Sequence, residues 1–182
     1  MTTNEQIENF LIQLPVDYSE NSFWTSHNNV EFHVIDNWVQ NKNLWKLEDQ
    51  CRTCEDNDQR GALKVRIDTT NQRRNDAIEA IDAAMLETLP TTRGGMITTH
   101  SETPGMMIDR LCIMHLKHRA YLKRVKDNNE AYQRSVLLGE QISDLHGHLL
   151  ALWGDLWRGY KVLKVYRALK VYGDQKGCGY GR

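Results

Sequence analysis

The chain has 182 residues, and its 24 acidic side chains against 23 basic ones leave no global field to hold nucleic acid or an anionic membrane surface. No apolar run approaches the roughly 20 residues that a membrane-spanning helix requires, so no membrane span is expected. One well-buried domain suits this length, and the start MTTNEQIENF, with neither a basic leader nor an apolar signal core, makes the cytoplasm the expected location.

All three prolines, at positions 15, 90 and 104, fall between helical patterns, and strand signals are almost absent. A short helix is predicted from about Asn4 to Leu14, followed by a polar, aromatic loop through Trp24 and His27. A long helix then runs from about Glu31 to Glu55, with Phe32, Ile35, Trp38, Val39 and Trp45 on its inner side. After a break near Asn57 to Gly61, a second long helix extends to Leu89-Pro90. The segment PTTRGGMITTHSETPG, residues 90–105, reads as the longest structureless stretch, either a crossover or a binding loop. Thr103 and Pro104 form a cap and first-turn pair that opens a helix through Met107, Ile108, Leu111 and Leu122 to about Lys126. The last long helix starts near Asn128 and carries Leu138, Ile142, Leu145, Leu149, Leu152 and Leu156 at alternating steps of four and three, the seam of a bundle. Gly159 ends it before a basic amphipathic helix, YKVLKVYRALKVY, and a frayed end. The expected fold class is all-α: a bundle of four principal long helices with short N- and C-terminal helices, a single domain divided as residues 1–30, 31–158 and 159–182.

The second long helix carries the most pointed chemistry. Asp68, Gln72, Asn75, Glu79 and Asp82 recur at steps of four and three, a stripe of oxygen ligands with no lysine or arginine in it, beside an apolar line of Ile67, Ile78, Ile81 and Met85. Glu79 and Asp82 form an ExxD pair one turn apart, with Asn75 or Asp76 able to add an oxygen, a set that suits Mg²⁺ or Mn²⁺ bridged to phosphate. A solvated acidic face is the competing reading. On the preceding helix, Glu48 would complete the metal site, while Arg52 would clamp a phosphate or pair with Glu48. His148, on the polar line of the last helix, is a candidate general base or an ordinary boundary residue. His115 and His118 stand one turn apart without a zinc signature, and Cys51 and Cys54, half of one, read as reduced thiols. The basic set Lys161, Lys164, Arg167 and Lys170 reads as a solvated helix face or a surface for an anionic partner.

Four motifs, LWKLEDQCR, KVRIDTTNQRRNDAIEAID, TPGMMIDRLCIMHLK and KVYRALKVYGD, resemble an uncharacterised bacterial all-helical domain-of-unknown-function family often encoded near glycosyltransferase genes. The resemblance covers about Leu44 to Asp174, with Cys112 where that family tends to have serine. A looser similarity, through Glu79 and Asp82, is to all-α nucleoside triphosphate pyrophosphohydrolases. Taken with the residue patterns above, the expected site has Glu48, Asp49, Asp76 and His148 as catalytic groups. Arg52, Lys64, Asn71, Gln72, Arg73, Asp109 and Arg110 would contact substrate, and Glu48, Asn75, Glu79 and Asp82 would hold Mg²⁺ or Mn²⁺. The expected function is a metal-dependent hydrolase or transferase acting on a phosphorylated small molecule, a nucleotide or nucleotide-sugar. The alternative is a non-catalytic module that binds a small anionic ligand or an envelope-sugar enzyme, and the bundle architecture admits a homodimer.

Overall fold

The computed structural model describes residues 3–14, 29–90 and 98–163. Helix α1 is Thr3–Ile12, α2 Asn29–Thr53, α3 Asn57–Leu86, α4 Pro104–Leu122 and α5 Asn129–Trp157; a single 3-10 turn (Val125–Asp127) and two short strands, β1 (Thr98–His100) and β2 (Lys161–Leu163), complete the order. The all-α bundle of four long helices behind a short N-terminal one is therefore the observed fold, and no described helix is long and apolar enough to cross a membrane.

Helix ends follow local chemistry. Asp56 stops the chain between α2 and α3 and accepts hydrogen bonds from the amides of Asp58 and Gln59, so α3 begins at Asn57, and Gly61, expected in the break, lies inside it. Thr103 caps α4 by accepting from the Met106 amide, with Pro104 in the first turn. Asn128 caps α5 through the Ala131 amide. At the far end of α5, Gly159 takes a positive φ of 73°, which a residue with a Cβ rarely adopts.

That turn accounts for one difference from expectation. The basic helix predicted from Tyr160 begins instead as strand β2, parallel to β1, with Thr98, Thr99 and His100 opposite Lys161, Val162 and Leu163. The Thr98 amide donates to the Tyr160 carbonyl. The turn at Gly159 aims the chain at that partner, and Val162 suits extended backbone. Part of the stretch read as structureless is thus β1. Residues 91–97, the loop through Trp24 and His27, and the basic set beyond Leu163 lie outside the described residues.

Two apolar clusters hold the bundle. The larger joins Leu11, Val34, Ile35, Trp38, Ile81, Met85, Ile108 and Leu111 to the α5 seam of Leu145, Leu149, Leu152 and Leu156. The smaller, Leu47, Cys51 and Ile67 with Leu44 and Leu63, lies between α2 and α3 near their connection. Ile35 and Trp38 are buried as expected and Val39 packs against the core, but Phe32 and Trp45, expected on the same side, are 42% and 36% exposed, and the buried stripe takes in Val30, Val34, Asn37 and Asn41 as well. Two amides occupy core positions that a reading of apolar residues alone assigns to its neighbours.

Candidate functional site

Those amides need partners, because a buried amide without a hydrogen bond costs on the order of 1–3 kcal/mol. The α4 carboxylate Asp109, itself buried, supplies them. Its Oδ1 accepts from Asn37 Nδ2 at 3.0 Å and from Asn41 Nδ2 at 2.8 Å, and Arg74 of α3 approaches the same oxygen with Nε at 3.7 Å. Asn41 Nδ2 also lies 3.1 Å from both the carbonyl and side-chain oxygens of Asn37. Three helices are pinned at one oxygen. Arg74 Nε is buried and has no hydrogen-bond partner among the described residues. Burial, with the Asp109 charge adding to it, raises the Cys112 thiol far above the ordinary range and keeps it protonated.

A second cross-helix contact fixes the start of α4. Asp82, at the buried end of the acidic stripe, accepts from the Gly105 amide at 2.7 Å and from the Thr103 hydroxyl. Burial raises its pKa, and these two hydrogen bonds oppose the rise. A Cβ on Gly105 would stand 2.5 Å from the Ile78 carbonyl oxygen, so glycine is what allows α4 to approach α3 this closely.

The rest of the stripe does not gather. Asp68, Gln72 and Glu79 are exposed, Asn75 is half-buried, and Gln72 donates to Asp76 at 2.7 Å. Glu48 is half-buried on α2; Asp49 is exposed and paired with Arg52, so Arg52 takes Asp49 and not Glu48 as its partner. Arg110 pairs with Glu102, Lys64 is exposed, and Asn71 is half-buried. His148 is exposed on α5, which packs mainly on α4 and away from the α2/α3 pair. Among the described residues no group of three or more His, Cys, Asp or Glu side chains converges as a metal site would.

Cations do gather. Beyond Asn41 and Asp109, the C-terminal halves of α2 and α4 border a groove of about 800 Å³. Helix α2 contributes Lys42, Trp45, Lys46 and the Asp49–Arg52 pair; α4 contributes Lys117 and Arg119 over Leu116 and Ala120, and the turn after it adds Lys123 and Arg124. Lys42, Lys46, Lys117, Lys123 and Arg124 form no ion pair with any described residue. Arg119 lies over the Trp38 ring, 5.5 Å from its centroid.

The family described as "Protein of unknown function (DUF4254)" matches residues 32–165, nearly the whole span from α2 to β2. The chain belongs to the DUF4254 family. No curated protein and no solved structure matches it. The DUF4254 match contains the Asn37–Asn41–Arg74–Asp109 network, the Asp82 contact and the basic groove; α1 lies outside it. Of the groove and network residues, sequence reading found Asp49, Arg52 and Asp109 and missed the rest. Asn37 and Asn41, four apart and in register with Val34 and Trp38, were the available signal for the network. The α4 cations gave no comparable signal, because a solvated helix face has the same pattern.

Proposed function

We propose that this DUF4254 chain binds a phosphorylated small molecule in the groove between α2 and α4. One observation carries the reading: five cations without ion-pair partners among the described residues, Lys42, Lys46, Lys117, Lys123 and Arg124, line one concave surface in a protein of formal net charge −1. A near-neutral chain that concentrates its unpaired positive charge in this way leaves self-repulsion to be relieved, and a polyphosphate relieves it through several charge-assisted hydrogen bonds. Trp45, at the border between buried and exposed, offers a flat apolar face at the groove wall for a ring attached to the phosphates, as in a nucleotide or nucleotide-sugar. In this reading Mg²⁺ or Mn²⁺ arrives as the counter-ion of the phosphates. Turnover by a hydrolase or transferase route would draw on Asp49, the groove's acid.

The test is calorimetric titration of pyrophosphate and of a nucleoside diphosphate, with and without Mg²⁺, at low ionic strength, into the native chain and Lys117→Gln/Lys123→Gln. Binding by the native chain that weakens at least about tenfold in the variant supports the reading, since two charge-assisted contacts are lost. Equal affinities, or no heat in either, overturn it. New ³¹P signals in the incubated native mixtures would add turnover to binding.

A further inference from the structure

A second pocket, of about 450 Å³, opens on another side of α2, in its seam with α3. The antiparallel helices line it in matched steps: Asn43, Lys46 and Gln50 on α2 are spaced as Arg66, Thr69 and Arg73 are on α3. Arg66 and Arg73, two turns apart, stand at either end with Lys46 across from them. No carboxylate lines the pocket, and none of these three cations is in an ion pair with any described residue. The hydroxyls of Thr69 and Thr70 are spent on the backbone carbonyls of Val65 and Arg66, at 2.9 and 2.8 Å. The seam's donors are therefore two guanidinium groups, one ammonium and the side-chain amides of Asn43 and Gln50.

We infer that this seam is a separate site for a compact phosphate dianion, free or as a phosphomonoester, and that its occupancy opposes ligand binding in the α2/α4 groove. The chemistry follows from the donor set: planar, bidentate donors at two ends of a small pocket match one tetrahedral dianion better than an extended chain. The opposition follows from Lys46, the one residue that lines both pockets. A single ammonium on a flexible stem serves one anion at a time, so an anion that draws it into the seam removes it from the groove. Only this coupling rests on the groove reading; the seam site stands on its own residues.

The experiment titrates inorganic phosphate, and in a parallel arm methyl phosphate, into the native full chain and into Arg66→Gln/Arg73→Gln at low ionic strength. Both arginines are exposed and glutamine is a good helix former, so far-UV circular dichroism should match the native spectrum. Phosphate affinity falling about tenfold or more in the double variant is the expected result. If methyl phosphate shows the same loss, the seam takes monoesters; if it does not bind the native chain, the seam takes free phosphate. An unchanged phosphate affinity in the double variant overturns the seam site.

For the coupling, pyrophosphate is titrated with and without saturating phosphate. Phosphate should weaken pyrophosphate binding to the native chain and lose that effect in Arg66→Gln/Arg73→Gln, and Lys46→Met should weaken both anions. Antagonism that persists in the double variant would be direct competition in the groove and would overturn the coupling. Failure of the groove reading is recognised separately, by pyrophosphate affinity that ignores Lys117→Gln/Lys123→Gln while the phosphate comparison still decides the seam.

Discussion

Alanine placed at Gly105 and at Gly61 tests the packing described above with one chemistry at two sites. At Gly105 the new Cβ would stand 2.5 Å from the Ile78 carbonyl oxygen and 2.9 Å from Asp82 Oδ1, both well inside the 3.4 Å where ordinary contact begins. Backbone oxygen cannot swing aside, so α4 must retreat by close to 1 Å, which stretches the 2.7 Å Gly105–Asp82 hydrogen bond beyond bonding length. The lost bond costs about 1–3 kcal/mol and the overpacking about as much again, while alanine's helix propensity returns about 0.5–1 kcal/mol. The net destabilisation expected is about 2–4 kcal/mol, or a melting temperature lower by roughly 5–12 °C for a chain of this size. Gly61, mid-helix with nothing within 4 Å of an added Cβ, should gain about 0.5–1 kcal/mol from the same change. Urea unfolding followed by circular dichroism measures both. A Gly105→Ala variant within about 0.5 kcal/mol of native, or one that moves in the same direction as Gly61→Ala, would refute the close approach of α4 to α3.

Three further outcomes are expected. Asp109→Ala should destabilise by about 3 kcal/mol in the same assay, because it strands the Asn37 amide and the guanidinium of Arg74 and leaves Asn41 only its bonds to Asn37; the partial exposure of Arg74 holds the value at the low end for a broken buried pair. Burial, helped by the charges of His118, Arg119 and His146, lowers His115 to about 4, and its Nε2 is buried without a hydrogen-bond partner among the described residues. The folded state therefore resists protonation that the unfolded chain accepts below its ordinary pKa, so this stabilisation is intact above pH 6.5 and is lost as pH falls towards 4. At pH 5 the loss is about 1 kcal/mol once the full linkage value is halved for partial exposure, and unfolding of His115→Gln across that range should show a flatter pH slope. His148→Ala, at an exposed position with no described partner, should leave stability within about 0.5 kcal/mol of native.

The bundle was legible because its apolar spacing is regular where burial is one-sided. The α5 seam from Ile142 to Leu156, the Thr103–Pro104 start and the Asn128 start stand where periodicity and capping put them, while Leu138 is only half-buried. The inner face of α2 was legible at Ile35, Trp38 and Val39 and not where it is polar: Asn37 and Asn41 are buried only because Asp109, 72 and 68 residues away, receives them. Pairing over that distance leaves no local trace beyond two asparagines four apart on the apolar side of the helix. The acidic stripe runs beside the buried Ile67, Ile81 and Met85, yet its members divide between solvent and the start of α4, and spacing along one helix says nothing about that division. The groove cations of α2 and α4 stand more than sixty residues apart in sequence, on helices each ordinary on its own.

The separation of the two apolar clusters has a consequence for timescale. The distal ends of α2 and α3 rest on the small cluster of Leu47, Cys51 and Ile67 with Leu44 and Leu63, while the proximal ends share the large core with α4 and α5. With so few buried contacts, this tip forms a cooperative unit of its own that opens more often than the body, so amide protons around Leu47 and Ile67 exchange with solvent well before those around Ile81 and Leu149. Lys46 and Arg52 ride on this tip, so one wall of the groove belongs to the part expected to open more often, and an anion bound there as proposed should slow the exchange of amides it never touches.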